Sequence, residues 1–259
     1  MRILYITTVG KTMRFFETLI SDLVKNNNIV DIATNELNGN SPVPELYREI
    51  GCNVFNIDCS RSPLNKNNLI AVSQIKKIVS DKHYDIVHCH TPIAAACTRL
   101  ACRKARKNGT KVIYTAHGFH FFKGASKMAW MVFYPIEKLC ANFTDCLITI
   151  NQEDYRSAKQ FNARQVKYVH GIGVHTEEFQ NVKVDKGEKR KELGLNQDDF
   201  VFMSTGQISI RKNHEVIIRA LAQIEDSKVK YLIVGFGEEE NRLKNLVKEL
   251  NIENRVIFA

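Results

Sequence analysis

Residues 85–118 read DIVHCHTPIAAACTRLACRKARKNGTKVIYTAHG. Two apolar, β-branched runs, 85–90 and 110–116, bracket a segment with helical periodicity. Between them Thr91-Pro92 offers an N-cap followed by proline at the first helical position. Strands joined through a helix pair in parallel, with the helix crossing one face of the sheet.

The same alternation continues on both sides. Strands are expected over 2–8, 28–34 and 53–57 before this stretch, and over 145–150 and 165–169 after it. The rhythm breaks in the polar tract GIGVHTEEFQNVKVDKGEKRKELGL, then restarts as strand 199–205, helix 213–225, strand 228–234, helix 238–250 and strand 255–258. The expected fold class is α/β: a doubly wound parallel-sheet domain over 1–170, a linker over 171–186, and an incomplete Rossmann-like unit over 187–259.

Composition suits this reading, because 259 residues with 44% apolar content can fill two packed cores. No apolar run approaches the roughly 20 residues that span a bilayer, and MRILYITTVGK is too short and threonine-interrupted for a secretory signal, so the expected compartment is the cytoplasm. The seven cysteines form no C-x-x-C pair, and their odd number argues against a disulfide framework. His88 and His90 share one strand face, but no second ligand pair at helical spacing supports zinc, and no metal is expected.

The net charge of +9 is uneven: residues 1–180 hold 23 Lys+Arg against 15 Asp+Glu, while 181–259 hold 14 against 13. From Ile86 to Ile136 there is no acid, whereas Arg99, Arg103, Lys104, Arg106, Lys107, Lys111, Lys123 and Lys127 lie inside. Such a run is either a solvated basic face or the footprint of an anionic partner.

Ligands of doubly wound sheets bind outside the carboxyl ends of the strands. Four loops in such positions stand out: TTVGKTM with Gly10, HTP, HGFHFFKG, and GQISIRKNH with Arg211 and Lys212. Gly10 and Thr91-Pro92 are also explained as simple turn and cap. VGFGEEE, at 234–240, lacks the third glycine of a dinucleotide fingerprint and reads as a tight turn. His117 differs, because it leaves the carboxyl end of a buried strand, where it can hydrogen-bond a substrate hydroxyl or act as a base. His120 shares that side if the loop turns helically.

The segments DIVHCHTP, ARKNGTKVIYTAHGFHFFKG, YPIEKLCANFTDCLITINQEDY, VHGIGVHTEEF, STGQISIRKNH and LIVGFGEEE occur in the order found in family 4 glycosyltransferases. The chain resembles that family over its whole length, and especially its capsular and exopolysaccharide subgroup. The resemblance implies a GT-B architecture, a nucleotide-sugar donor, no cofactor, and transfer with retention to a lipid-linked or saccharide acceptor. It implies that His117 contacts the donor sugar, that Gly10 lies near the donor, and that Lys212, with Arg211 beside it, binds the diphosphate. Cations and helix N-terminal amides stabilise a departing diphosphate without a metal.

This chain has Gln207 where the family often has arginine, and Ile172-Gly173-Val174-His175 where it often has Asn-Gly-Val-Asp. It ends at ENRVIFA, where family members continue through a nucleoside-binding half-domain. The expectation is that it transfers little sugar alone and that strand 199–205 has an unpaired edge.

On the acceptor or membrane side, His120, Lys123, Lys127 and Trp130, with Phe133 and Tyr134, make a basic and aromatic mixture suited to the anionic inner face of a membrane, although some of these rings can instead pack on the sheet. A nucleic-acid module would need stacking aromatics among the cations, and a nicotinamide-dependent oxidoreductase a full glycine fingerprint; neither is present, and no nucleic-acid partner is expected.

Overall fold

The computed structural model describes residues 1–37, 41–174 and 176–259, and the chain divides into two units, Met1–Val174 and His175–Ala259. In the first unit the strands are β1 (Arg2–Val9), β2 (Ile29–Asn35), β3 (Val54–Asn56), β4 (Ile86–His90), β5 (Lys111–Ala116), β6 (Cys146–Thr149) and β7 (Val166–Tyr168). They form one parallel sheet in the order β3-β2-β1-β4-β5-β6-β7. The chain starts at the centre, winds to one edge, returns, and winds to the other, which makes the sheet doubly wound.

Its helices are α1 (Glu17–Lys25), α2 (Leu46–Glu49), α3 (Asn67–Lys82), α4 (Pro92–Ala101), α5 (Arg103–Lys107), α6 (Lys127–Ala141) and α7 (Gln152–Ala158). Side chains alternate across the sheet and both faces are covered, so β1 is buried from Ile3 to Val9. Leu4 and Ile6 join Val87 and Cys89 against Ile75 of α3 and Ala94 of α4. Ile3 and Tyr5 join Val30 and Ile32 against Met13, Phe16 and Ile20 on the other face.

Two sequence expectations change here. Thr91 precedes Pro92 at the start of α4, but its side chain does not cap the helix; its hydroxyl meets that of Thr8 at 2.6 Å. Its φ of 64° is left-handed, a strained conformation for a β-branched residue. Arg99, read as part of a basic surface, is fully buried in α4. It lies 2.8 Å from Glu137 of α6, with its guanidinium 4.3 Å from the centre of the Tyr114 ring. Burial opposes its charge, but Glu137 and its neighbours hold its pKa above the ordinary value. The acid that closes the acid-free stretch is the partner of one of its cations.

The second unit holds α8 (Thr176–Gln180) and α9 (Lys186–Glu192), then β8 (Phe200–Thr205), α10 (His214–Leu221), β9 (Val229–Val234), α11 (Glu240–Glu249) and β10 (Val256–Phe258). The sheet order is β10-β9-β8, all parallel, around a core that includes Ile208, Ile218, Tyr231, Ile233 and Leu243. Among the described residues β8 pairs only with β9, so it has the free edge expected for it. Helix α8 forms inside the span read as linker, while His175 lies outside the described residues.

The Gly235-x-Gly237 pair has a packing explanation. A Cβ on Gly235 would lie 2.0 Å from the Gly206 carbonyl oxygen, and one on Gly237 would lie 2.1 Å from that of Ile208. Only glycine lets the loop after β9 rest on the loop after β8.

Candidate active site at the carboxyl ends of the strands

Parallel pairing of β4 with β5 sets His90 opposite Thr115, so the chain leaving β5 brings His117 back over His90. Nδ1 of His90 and Nε2 of His117 lie 3.1 Å apart. His90 is 1% exposed; its ring stacks on Tyr5 at 5.8 Å and lies 4.2 Å from both Phe16 and His88. Burial, with His88 and His117 adding to it, pushes the His90 pKa well below the ordinary histidine value. Burial also lowers His117, and it takes His88 to about 3, with His117 contributing. Neutral histidines follow at neutral pH. In a neutral pair one ring donates and the other accepts, which commits Nε2 of His117 inward and leaves Nδ1 for a ligand.

The loop beyond is fixed in place. Gly118 takes a φ of 120°, open to glycine alone at little cost, and the Phe119 amide donates to the buried Asp154 carboxylate at 2.9 Å. Asn151 caps α7 by accepting from the Asp154 amide, which holds that carboxylate in position. Nothing in the sequence marked Asp154. The exposed ring of His120 lies 4.4 Å from Phe133. It lines a cavity of about 280 Å3 with Thr8, Thr12, Arg61, Thr91 and Phe133. Thr12 and Arg61 are further residues the sequence did not single out, because they lie on loops far apart in the chain.

Gly10 has a steric explanation: a Cβ there would lie 2.2 Å from the Ser41 carbonyl oxygen. The basic stretch does not surround His117. Arg103, Lys104, Arg106, Lys107, Lys111 and Arg164 line a separate concavity of about 690 Å3 at the amino ends of β5 and β6. The six residues of β5 separate that concavity from His117 by about 20 Å. Arg106 is itself bound to Asp145 at 2.8 Å. Lys123 and Lys127, by contrast, flank the turn into α6 beyond the carboxyl end of the sheet.

In the second unit, Gly206 leaves β8 with φ 146°, and the exposed Lys212 side chain lies across it, Nζ being 3.7 Å from where a glycine Cβ would stand. Arg211 and Lys212 occupy a 3₁₀ turn, Ile210–Lys212, ahead of α10, and neither side chain has a hydrogen-bond or ion-pair partner among the described residues. Two free cations over a glycine turn at a strand's carboxyl end can receive a phosphate. Below them His214 is buried, 2.8 Å from the Tyr231 hydroxyl, which donates to Ser204. Among the described residues no group of three or more His, Cys, Asp or Glu could hold a metal ion, and no helix is long and apolar enough to cross a membrane.

A doubly wound sheet followed by a second, smaller parallel α/β unit defines the GT-B class of architecture. The glycosyl transferase 4-like family model matches residues 2–151, and the chain belongs to that family; the glycosyl transferases group 1 model matches residues 185–259. The chain is 39% identical over 226 residues to the glycosyltransferase EpsD of Bacillus subtilis, covering 85% of this chain and 58% of that protein. It is 31% identical over 208 residues to an Escherichia coli UDP-Gal:alpha-D-GlcNAc-diphosphoundecaprenol alpha-1,3-galactosyltransferase, covering 77% and 53%. The chain therefore spans little more than half the length of these relatives. Among solved structures, HepE of Anabaena in complex with UDP and glucose aligns with TM-score 0.69 and 21% identity over 100% of this chain and 68% of that one; at that identity the likeness is one of fold.

Proposed function

We propose that this chain belongs to an enzyme that moves a sugar from a nucleotide-sugar donor to a lipid-linked or saccharide acceptor in cell-surface polysaccharide synthesis, with retention of configuration. The observation that carries this reading is the presence of both family models, in order, on one chain. The geometry supports specific roles. His117 offers Nδ1 to a hydroxyl of the donor sugar, while Lys212 and Arg211 neutralise the diphosphate as its bond to the sugar breaks. Gly10 shapes the first loop beside the donor. The expected assay joins residues 1–259 to the carboxyl-terminal remainder of EpsD and supplies radiolabelled UDP-hexoses with a lipid extract of bacterial membranes. Label should enter the lipid or saccharide fraction; a folded fusion that binds UDP-hexose yet labels neither would overturn the proposal.

The first unit would work at the inner face of a membrane, and α6 is the element suited to it. Phe133 and Tyr134 pack inward, partly buried against the core. Met128, Met131 and Leu139 stay exposed, at 66%, 71% and 57%, with Lys127 and Lys138 on the same helix and Lys123 before it, while Trp130, 40% exposed, packs its ring on Phe121 and Tyr134. An apolar strip edged by lysines suits an anionic interface. Co-sedimentation with phosphatidylglycerol vesicles, weakened by salt and by Met131→Glu, is expected; equal binding to neutral vesicles would remove the electrostatic part.

A further inference from the structure

The concavity of about 690 Å3 at the amino ends of β5 and β6 is lined by six cations and one acid. The acid is already engaged: Asp145 accepts from Nε of Arg106 at 2.8 Å and from the Val112 amide at 2.9 Å. Arg106 is engaged with it, its Nη1 also donating to the Asn142 carbonyl at 2.9 Å. Arg103, Lys104, Lys107, Lys111 and Arg164 remain. All five are exposed, and none of their side chains has a hydrogen bond or ion pair among the described residues. A second concavity, of about 670 Å3, shares Lys104 and Lys111 with the first and reaches Met1, Asp85 and Ile86. Together they follow the amino ends of β1, β4, β5, β6 and β7, which stand side by side, so the trough is about 20 Å long.

That length suits a chain of about six extended residues rather than a single ion. On α5 Arg103 and Lys107 stand one turn apart, about 5–6 Å from each other, and alternate carboxylates on one side of an extended peptide are about 7 Å apart. Each guanidinium can take both oxygens of one carboxylate. Shape and lining weigh against other polyanions. A lipid surface is flat and is entered by protruding apolar side chains, whereas this floor is concave and the one ring lining it, Phe143, is partly buried. A single-stranded nucleic acid needs free rings for its bases, and the Phe143 ring has the Arg103 guanidinium 5.2 Å from its centre. A second copy of the chain would bring its own net charge of +9. We infer that this trough docks an extended acidic segment of a partner protein, with its carboxylates on Arg103, Lys107 and Arg164. The trough lies at the opposite end of the sheet from His117, so partner and substrate do not compete. The inference goes beyond the transferase reading and stands without it.

The probe is a fluorescein-labelled peptide of alternating Glu and Ser, with its Gln-Ser counterpart as the neutral control. Fluorescence anisotropy on the 259-residue chain should show the Glu-Ser peptide binding in the micromolar range, more weakly as salt is added, and the Gln-Ser peptide not binding. Arg103→Glu combined with Lys107→Glu should weaken binding by about thirtyfold or more. Lys183→Glu combined with Lys191→Glu makes the same change in charge on the second unit and should alter binding by less than about twofold. A site readout needs no substitution: in the isotope-labelled parent chain the peptide should move the amide resonances of Lys107, Lys111 and Phe143 and leave those of Gly118 and Phe119. A single-stranded oligonucleotide of equal charge should bind more weakly than the peptide. Whatever co-sedimentation the chain shows with phosphatidylglycerol vesicles should survive the reversal at Arg103 and Lys107. No peptide binding, resonance shifts elsewhere only, undiminished affinity in the folded reversal variant, tighter binding of the oligonucleotide, or vesicle binding lost with the reversal would each overturn the inference. Failure of the transferase reading would show in the labelling assay instead.

Discussion

His117→Ala is expected to lower sugar transfer by a hundredfold or more while the protein keeps most of its stability. A side chain that hydrogen-bonds reacting groups contributes on the order of 10²–10⁴ in rate. The structural loss is smaller: His117 is half-buried, and removing it frees Nδ1 of His90 at a cost of about 1–2 kcal/mol. Turnover and urea unfolding, measured on the same EpsD fusion, separate the two roles. A proportionate fall in both would make His117 a packing residue. His90→Phe supplies a second readout. It keeps a ring against Tyr5 and Phe16 but leaves Nε2 of His117 without its partner, so kcat should fall more than KM rises.

Arg99→Ala should cost about 3–5 kcal/mol, among the largest losses available to a single substitution in this chain. The guanidinium is 0% exposed and Glu137 is 4% exposed, so alanine would leave a carboxylate stranded in the core between α4 and α6. The Tyr114 hydroxyl, which donates to Glu137 at 3.2 Å, cannot replace the lost charge. The paired change Arg99→Met with Glu137→Leu should recover most of the loss, because it removes both desolvated charges and keeps the volume. Urea unfolding of the two variants beside the parent chain checks this. A loss below about 1 kcal/mol for Arg99→Ala would mean that water reaches the pair.

Every strand of both sheets lies within one residue of its sequence expectation, and the reason is visible in β1 and β4. Strands buried on two faces are continuous apolar runs, and continuous runs have sharp ends. His117 was legible for the same reason, as the residue that follows such a run. His90 was not read as its partner, since their meeting depends on the register between β4 and β5. Arg99 was misread because counting charge along a window stops at its border, and Glu137 stands one residue beyond it. Arg61 and Thr12 meet in one cavity although 49 positions separate them, and no local pattern encodes that.

The nested glycines of the second unit have a mechanical consequence. With Gly235 seated against Gly206 and Gly237 against Ile208, neither loop can slide without displacing the other. An anion that settles on Lys212 would press on a floor two backbones thick. The Glu239 amide also donates to the Ile208 carbonyl at 3.3 Å, so the residue before α11 is tied through backbone to the loop that leads to Lys212.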